Sequence, residues 1–185
     1  MGSLTKEQTS IITGKLLGDG TLRRKTNTLL EVNHSYKQQD YVFWLYENLS
    51  NLVSTPPSIR KSGVNRKSCR FTTCSIPALN TFYADFYPQG NKSIPRFLKL
   101  NPLALAIWFM DDGSKDRDSV YFNTQQFSFE DQYMLLKALT EIGLEGSLNK
   151  DKIYYRIRLY KSSYKAFESI VIPYILESFR YKLLL

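Results

Sequence analysis

Between Ile11 and Leu17 apolar residues recur at helical intervals, and the preceding Thr5-Lys6-Glu7-Gln8 sets a hydroxyl and an amide where a capping box requires them. The pattern predicts a helix from Thr5 to Gly20. A second, almost wholly apolar run, "LALAIWFM", follows Asn101-Pro102, an N-cap residue and a proline suited to the first helical position. It predicts a helix reaching Gly113. Both helices close on Asp-Gly, and the two pairs lie 93 residues apart, a spacing that signals an internal repeat.

The repeat continues. Each Asp-Gly leads into a turn-rich, charged segment and then an alternating stretch, "TLLEVNHS" at 28–35 and "DSVYFNTQ" at 118–125. Alternation puts Leu30 and Val32 on one face, with Val120 and Phe122 their counterparts, and Glu31, Asn33, Tyr121 and Asn123 on the other. Aromatic-bearing amphipathic helices follow at 39–52 and 130–144. Two pairs of strands come next, around 57–63 and 68–75 in the first half and 145–150 and 153–160 in the second. Terminal helices at 78–88 and 163–173 close each half. The chain therefore reads as an α+β fold of two αββαββα halves, 1–98 and 99–185, each with an antiparallel sheet. In "KIYYRIRLY", Ile153, Tyr155, Ile157 and Leu159 fall on an expected core face; Tyr154, Arg156, Arg158 and Tyr160 fall on the opposite, cationic and aromatic face. The first half has Arg60, Lys61, Arg66, Lys67 and Arg70 on its equivalent strands.

Composition narrows the class. Apolar residues make up 43% of 185 residues, with only 9 Gly and 7 Pro, which fits a folded globular chain with a sizeable core. Apolar runs fall short of a membrane span, and the polar first ten residues do not read as a signal peptide. Cys69 and Cys74 form one pair with His34 as the only histidine, too few for a four-ligand zinc site, so two reduced cysteines are expected. His34 is expected at the surface or against a base. Lys and Arg outnumber Asp and Glu by 25 to 17, giving a net charge of +8 and a pI near 9.4. That surplus suits a polyanionic partner such as nucleic acid, and equally a basic enzyme with no such partner.

Asp111 and Asp112 stand out against this background. The C-terminal end of a helix carries partial negative charge, so two acids there cost stability unless a cation answers them. Carboxylates beside the unpaired carbonyls of a last helical turn suit a hard divalent ion such as Mg2+ or Ca2+.

"ITGKLLGDG" (12–20) and "LAIWFMDDG" (105–113) resemble the nine-residue motif of LAGLIDADG homing endonucleases of the monomeric, two-motif, intron-encoded type. "NTQQFSFEDQY", "NKSIP" and the terminal "YKL" resemble family blocks in the expected order, so the likeness spans nearly the whole chain. Leu17 and Met110 replace the acid of the sixth motif position, but the eighth position, the family's metal-ligand position, is kept as Asp19 and Asp112.

The resemblance implies a pseudo-symmetric pair of halves whose curved sheets form a DNA-binding saddle, with the motif helices side by side. It implies cleavage of both strands of a long pseudo-palindromic DNA site by a single chain using Mg2+, with Ca2+ able to occupy the sites without supporting cleavage. Asp19 and Asp112, with the carbonyls of Gly18 and Asp111, are the implied metal ligands. Lys92 and Lys182, 73 and 70 residues after their motif acids, are the implied basic catalytic residues. The expected DNA contacts are Glu31, Asn33, Arg60, Lys61, Arg66 and Arg70 in the first half. Tyr121, Asn123, Gln125, Tyr154, Arg156 and Arg158 are their counterparts in the second. The same fold also serves as an intron RNA maturase and in DNA-binding regulators without cleavage, so intron RNA is the alternative partner. No membrane partner is expected. An organelle, mitochondrion or chloroplast, is the expected location, with a bacterial cytoplasm as the alternative.

Overall fold

A computed structural model describes residues 3–62 and 66–184, with only the backbone of Ser62. Gly63, at the end of the expected 57–63 strand, lies outside the described residues. The chain divides into two compact units, residues 1–84 and 85–185.

The first unit runs α1 (Lys6–Leu17), β1 (Thr21–Arg24), β2 (Thr28–Ser35), α2 (Gln39–Asn48), β3 (Ser58–Ser62), β4 (Arg66–Thr72) and α3 (Asn80–Phe86), whose last turn passes the unit boundary. The second runs α4 (Pro102–Asp112), β5 (Gly113–Asp116), β6 (Ser119–Phe122), α5 (Phe129–Glu141), β7 (Gly146–Asp151), β8 (Tyr154–Leu159) and α6 (Tyr164–Val171). The sheet orders are β1-β2-β4-β3 and β5-β6-β8-β7, all neighbours antiparallel. Element for element, the expected αββαββα repeat is present.

Local chemistry sets the helix starts. Thr5 and Gln8 form a reciprocal capping box, each side chain accepting from the other's backbone N–H at 3.1 Å. The Asn101 side chain accepts from Ala104 N–H at 2.9 Å ahead of Pro102. The helix ends differ. In α1 the last residue is Leu17 and Gly18 is the C-cap, so Asp19 stands beyond the helix; in α4 Asp112 is itself the last helical residue.

Three sequence expectations change. The charged segments after each Asp-Gly are the edge strands β1 and β5; of β1 only Leu22 is buried, which left too little apolar signal to mark a strand. The unit boundary falls before residue 98, because the following segment is held in the second unit: Ile94 N–H donates to Asp131 Oδ1 at 2.8 Å, and Ile94 is buried. In β8 the core face begins only at Ile157, since Ile153 is 79% exposed and Tyr155 packs edge-on against Phe129 at 5.6 Å.

The first core joins Leu30, Val32 and Phe71 of the sheet to Tyr41, Val42 and Leu45 of α2, all buried. The second centres on Phe122, whose ring lies 4.2 Å from Trp108, 5.6 Å from Phe109 and 5.9 Å from Phe167. Each such aromatic pair adds roughly 0.5–1.5 kcal/mol beyond area burial. Cys69 and Cys74 are free thiols, and burial pushes the Cys69 thiol above its ordinary range. Two-residue turns join β5 to β6 and β7 to β8, and their first residues, Arg117 and Lys152, have φ of 54° and 57°. Among the described residues no helix is long and apolar enough to cross a membrane.

Candidate metal and nucleic-acid sites

In each unit the motif helix delivers its acid over a glycine that has no room for a side chain. A Cβ on Gly20 would stand 2.7 Å from the Lys15 carbonyl oxygen, which already accepts the Gly20 N–H at 2.7 Å. A Cβ on Gly113 would enter the Phe109 ring. These glycines let the chain turn tightly off the helix and bring the acid to the helix end.

In the first unit the Asp19 side chain is 49% exposed, and its Oδ2 lies 3.7 Å from His34 Nδ1. His34 is only 6% exposed, so the surface position expected of it is wrong. It shares strand parity with Thr28, Leu30 and Val32 and therefore points to the core side of β2. Its Nε2 meets Lys15 Nζ at 2.6 Å, and Lys15 is fully buried, with its ammonium 5.3 Å from the Tyr41 ring centroid. Neither Lys15 nor this use of His34 was anticipated. The parity of "LLEVNH" already carried the signal for His34; nothing comparable marked a lysine among apolar helix residues.

In the second unit Asp112 is partly exposed. Its Oδ2 accepts from Gln126 Nε2 at 3.1 Å, and its carbonyl accepts the Asn123 N–H at 2.9 Å. Lys182 donates to the carbonyls of Met110 at 2.7 Å and Asp111 at 3.2 Å. The Asp111 carbonyl, expected to face a metal, thus accepts from a lysine. Lys92 lies in the second unit with its ammonium 5.8 Å from the Phe127 ring centroid. Gln126 was missed because its neighbour Gln125 was chosen; Gln125 donates instead to Asp151 Oδ2 at 2.9 Å. The donor set fits a hard divalent cation: each unit offers an accessible carboxylate with main-chain oxygens beside it, and no sulfur.

Register sorts the remaining candidates by face. On β2 and β4, Asn33 opposes Arg70 and Glu31 opposes Thr72; on β3, Ser58 opposes Arg70 and Arg60 opposes Ser68. Glu31, Asn33, Arg60, Arg66 and Arg70 therefore share the face opposite Leu30 and Val32. Lys61 does not belong with them. It opposes Lys67, on the side of Ile59 and Cys69, because neighbours in a strand point to opposite faces. Arg23 of β1, absent from the expected set, joins the open face and pairs with Glu31 at 2.7 Å.

In the second sheet Tyr121, Arg158 and Ser147 oppose one another across three strands, and Asn149 opposes Arg156. Tyr121, Tyr154, Arg156 and Arg158 thus lie on one face, and Asn123, just past β6, donates to Ser114 Oγ of that face at 3.3 Å. The side chains are already ordered. The Arg156 guanidinium lies 3.9 Å from the Tyr121 ring centroid, so Tyr121 is buried beneath it, and Arg158 Nη2 donates to Ser119 Oγ at 2.8 Å. Arg156 Nε is buried without a hydrogen-bond partner among the described residues.

Comparison with known proteins agrees with this fold. The chain is 33% identical to the cytochrome b mRNA maturase bI2 of Saccharomyces cerevisiae over 99% of its own length, though it spans only 48% of that protein. It is 28% identical to the DNA endonuclease I-ChuI of Chlamydomonas applanata, covering 97% of this chain and 95% of that one. Among solved structures, the homing endonuclease I-WcaI bound to its DNA recognition sequence superposes with a TM-score of 0.90 at 26% identity, covering 100% of this chain and 88% of that one. I-DmoI in complex with DNA and Mn shares the fold at a TM-score of 0.58 and 15% identity, over 90% and 99% of the two chains. Residues 9–167 match the LAGLIDADG DNA endonuclease family, and the chain belongs to that family.

Proposed function

We propose that the chain is a site-specific endonuclease that hydrolyses one phosphodiester in each strand of duplex DNA, with Mg2+ as its ion and one acid serving each half. The observation that carries this is the recurrence, in both units, of an accessible carboxylate at the end of the motif helix together with a sheet whose open face is basic and polar. A polyanion meeting that face is attracted regardless of sequence, while Arg, Asn and Tyr supply the groups that distinguish base edges in a major groove.

Asp19 and Asp112 would hold the divalent ions, which when bound polarise the phosphoryl group and lower the pKa of water. Gln126 fixes the Asp112 carboxylate, and Lys182 offsets charge at the end of α4. The side chains of the open faces fix the register of the duplex. Since one chain carries both motifs, it acts as a monomer. Its relatives include a probable intron-encoded endonuclease from Wickerhamomyces canadensis, which supports an intron-encoded protein, and an organelle is the location that goes with this reading.

A second reading has its own support, because relatives from Saccharomyces cerevisiae and Debaryomyces hansenii are both named cytochrome b mRNA maturases. One experiment addresses both. The protein is incubated with a randomised duplex library under Mg2+, Ca2+ or no divalent ion, and cut and bound molecules are sequenced, with a parallel arm measuring splicing of intron RNA. Recovery of one long cut motif with Mg2+ alone is the expected result. Splicing stimulation without any DNA cutting would replace the nuclease reading with the maturase one.

A further inference from the structure

Lys15 is an anomaly that DNA cleavage by itself does not explain. It sits in the last turn of the motif helix, fully buried, where a methionine or leucine would pack without the cost of taking an ammonium out of water. Its Nζ lies 2.6 Å from His34 Nε2, and the ammonium and the imidazole share the Tyr41 ring, at 5.3 Å and 5.1 Å from its centroid.

With Lys15 as an ammonium, which has donors and no acceptor, the pairing assigns Nε2 as the acceptor and the ring proton to Nδ1. That nitrogen lies 3.7 Å from Asp19 Oδ2, with the His34 side chain 3% and the Asp19 side chain 49% exposed. A protonated Nδ1 cannot ligate a cation through that nitrogen. At 3.7 Å the pair is longer than a hydrogen bond, and the Nδ1 proton is the donor that a small approach of the Asp19 carboxylate would meet.

We propose that Lys15 and His34 are positioning residues that form a buried relay, Lys15 to His34 to Asp19, fixing the Asp19 carboxylate for its divalent ion. The second unit is built differently. There Ile107 and Trp108 fill the middle of the motif helix, and Gln126 donates to Asp112 from a loop. The two acids therefore stand beside unlike partners, a histidine backed by a lysine and a glutamine on the surface. Outer partners of this type set the orientation of metal ligands, and their loss typically costs about 10- to 100-fold in metal affinity or activity.

The inference rests on the nuclease reading, and the test separates the two. Lys15→Met, His34→Ala and His34→Gln are compared with wild type by thermal denaturation, by calorimetric titration of Ca2+ into the protein bound to its selected duplex, and by single-turnover rates with each strand labelled separately. Lys15→Met is expected to keep or raise Tm, to weaken Ca2+ binding about 10- to 100-fold, and to slow one strand far more than the other. His34→Ala should share the binding loss and the strand bias, and His34→Gln, which retains an N–H donor, should recover most of both. If Lys15→Met and His34→Ala lower only Tm, or slow both strands equally with Ca2+ binding unchanged, the relay is wrong and the nuclease reading stands. If wild type cuts neither strand with any divalent ion, both fall.

Discussion

Lys182 Nζ donates to the Met110 carbonyl at 2.7 Å, and so a lysine near the end of the chain closes the C-terminus of the motif helix α4. This answers the electrostatic puzzle set by Asp111 and Asp112, since a cation is favoured where helix carbonyls lack partners. Lys182→Met should lose about 1–3 kcal/mol of stability, the worth of a charge-assisted hydrogen bond at such a site. Chemical denaturation of the variant checks this, and Lys182→Arg, which keeps the donor, should recover most of the loss.

Asp19→Asn and Asp112→Asn retain size and remove charge. Each should abolish double-strand cleavage while leaving affinity for the duplex near that of wild type, measured by gel-based cleavage alongside fluorescence anisotropy. Normal cutting by either variant would show that its carboxylate does not hold an ion.

Gly113 has φ −73° and ψ 148°, a backbone any residue adopts, so its requirement is purely steric. Gly113→Ala would drive a methyl into the Phe109 ring and should cost about 1–3 kcal/mol or more, seen as a lowered Tm. Pairing it with Phe109→Leu, which opens the space, should return part of the loss. A Gly113→Ala protein as stable as wild type would refute the close approach.

Arg156 and Arg158 separate charge from shape. Arg156→Lys keeps the cation but loses the planar group stacked on Tyr121, so salt dependence of binding should hold while base preference shifts. Arg158→Ala should relax preference at one position, by ~1–3 kcal/mol if it reads a guanine with two hydrogen bonds. Cleavage profiling at each base pair measures both. An unchanged profile in both variants would remove these side chains from the recognition surface.

The repeat, the capped helix starts and the acids were legible in the sequence because each rests on a local rule: a cap beside a periodic run, an Asp-Gly at a fixed interval, an alternation of faces. β1 and β5 were not, since a short edge strand with at most one buried side chain owes its existence to a partner elsewhere in the chain. Lys61 was grouped with Arg60 by charge, and only the register separates them. His34 could have been placed by the parity that placed Leu30 and Val32; its chemistry suggested the surface instead. Lys15 and Gln126 act through tertiary neighbours, Lys15 on His34 and Gln126 on Asp112, and single-sequence patterns do not encode such neighbours.

The turns at Arg117 and Lys152 carry a last consequence. A left-handed backbone suits glycine or asparagine and penalises longer side chains by roughly 1–2 kcal/mol, yet both exposed positions hold a cation. Each hairpin tip of the second unit thus gives up some folding stability for a cationic side chain set beside acids, Arg117 between Asp116 and Asp118 and Lys152 after Asp151. Substituting glycine at either should raise Tm, so these two tips hold the protein's heat resistance below what its backbone allows.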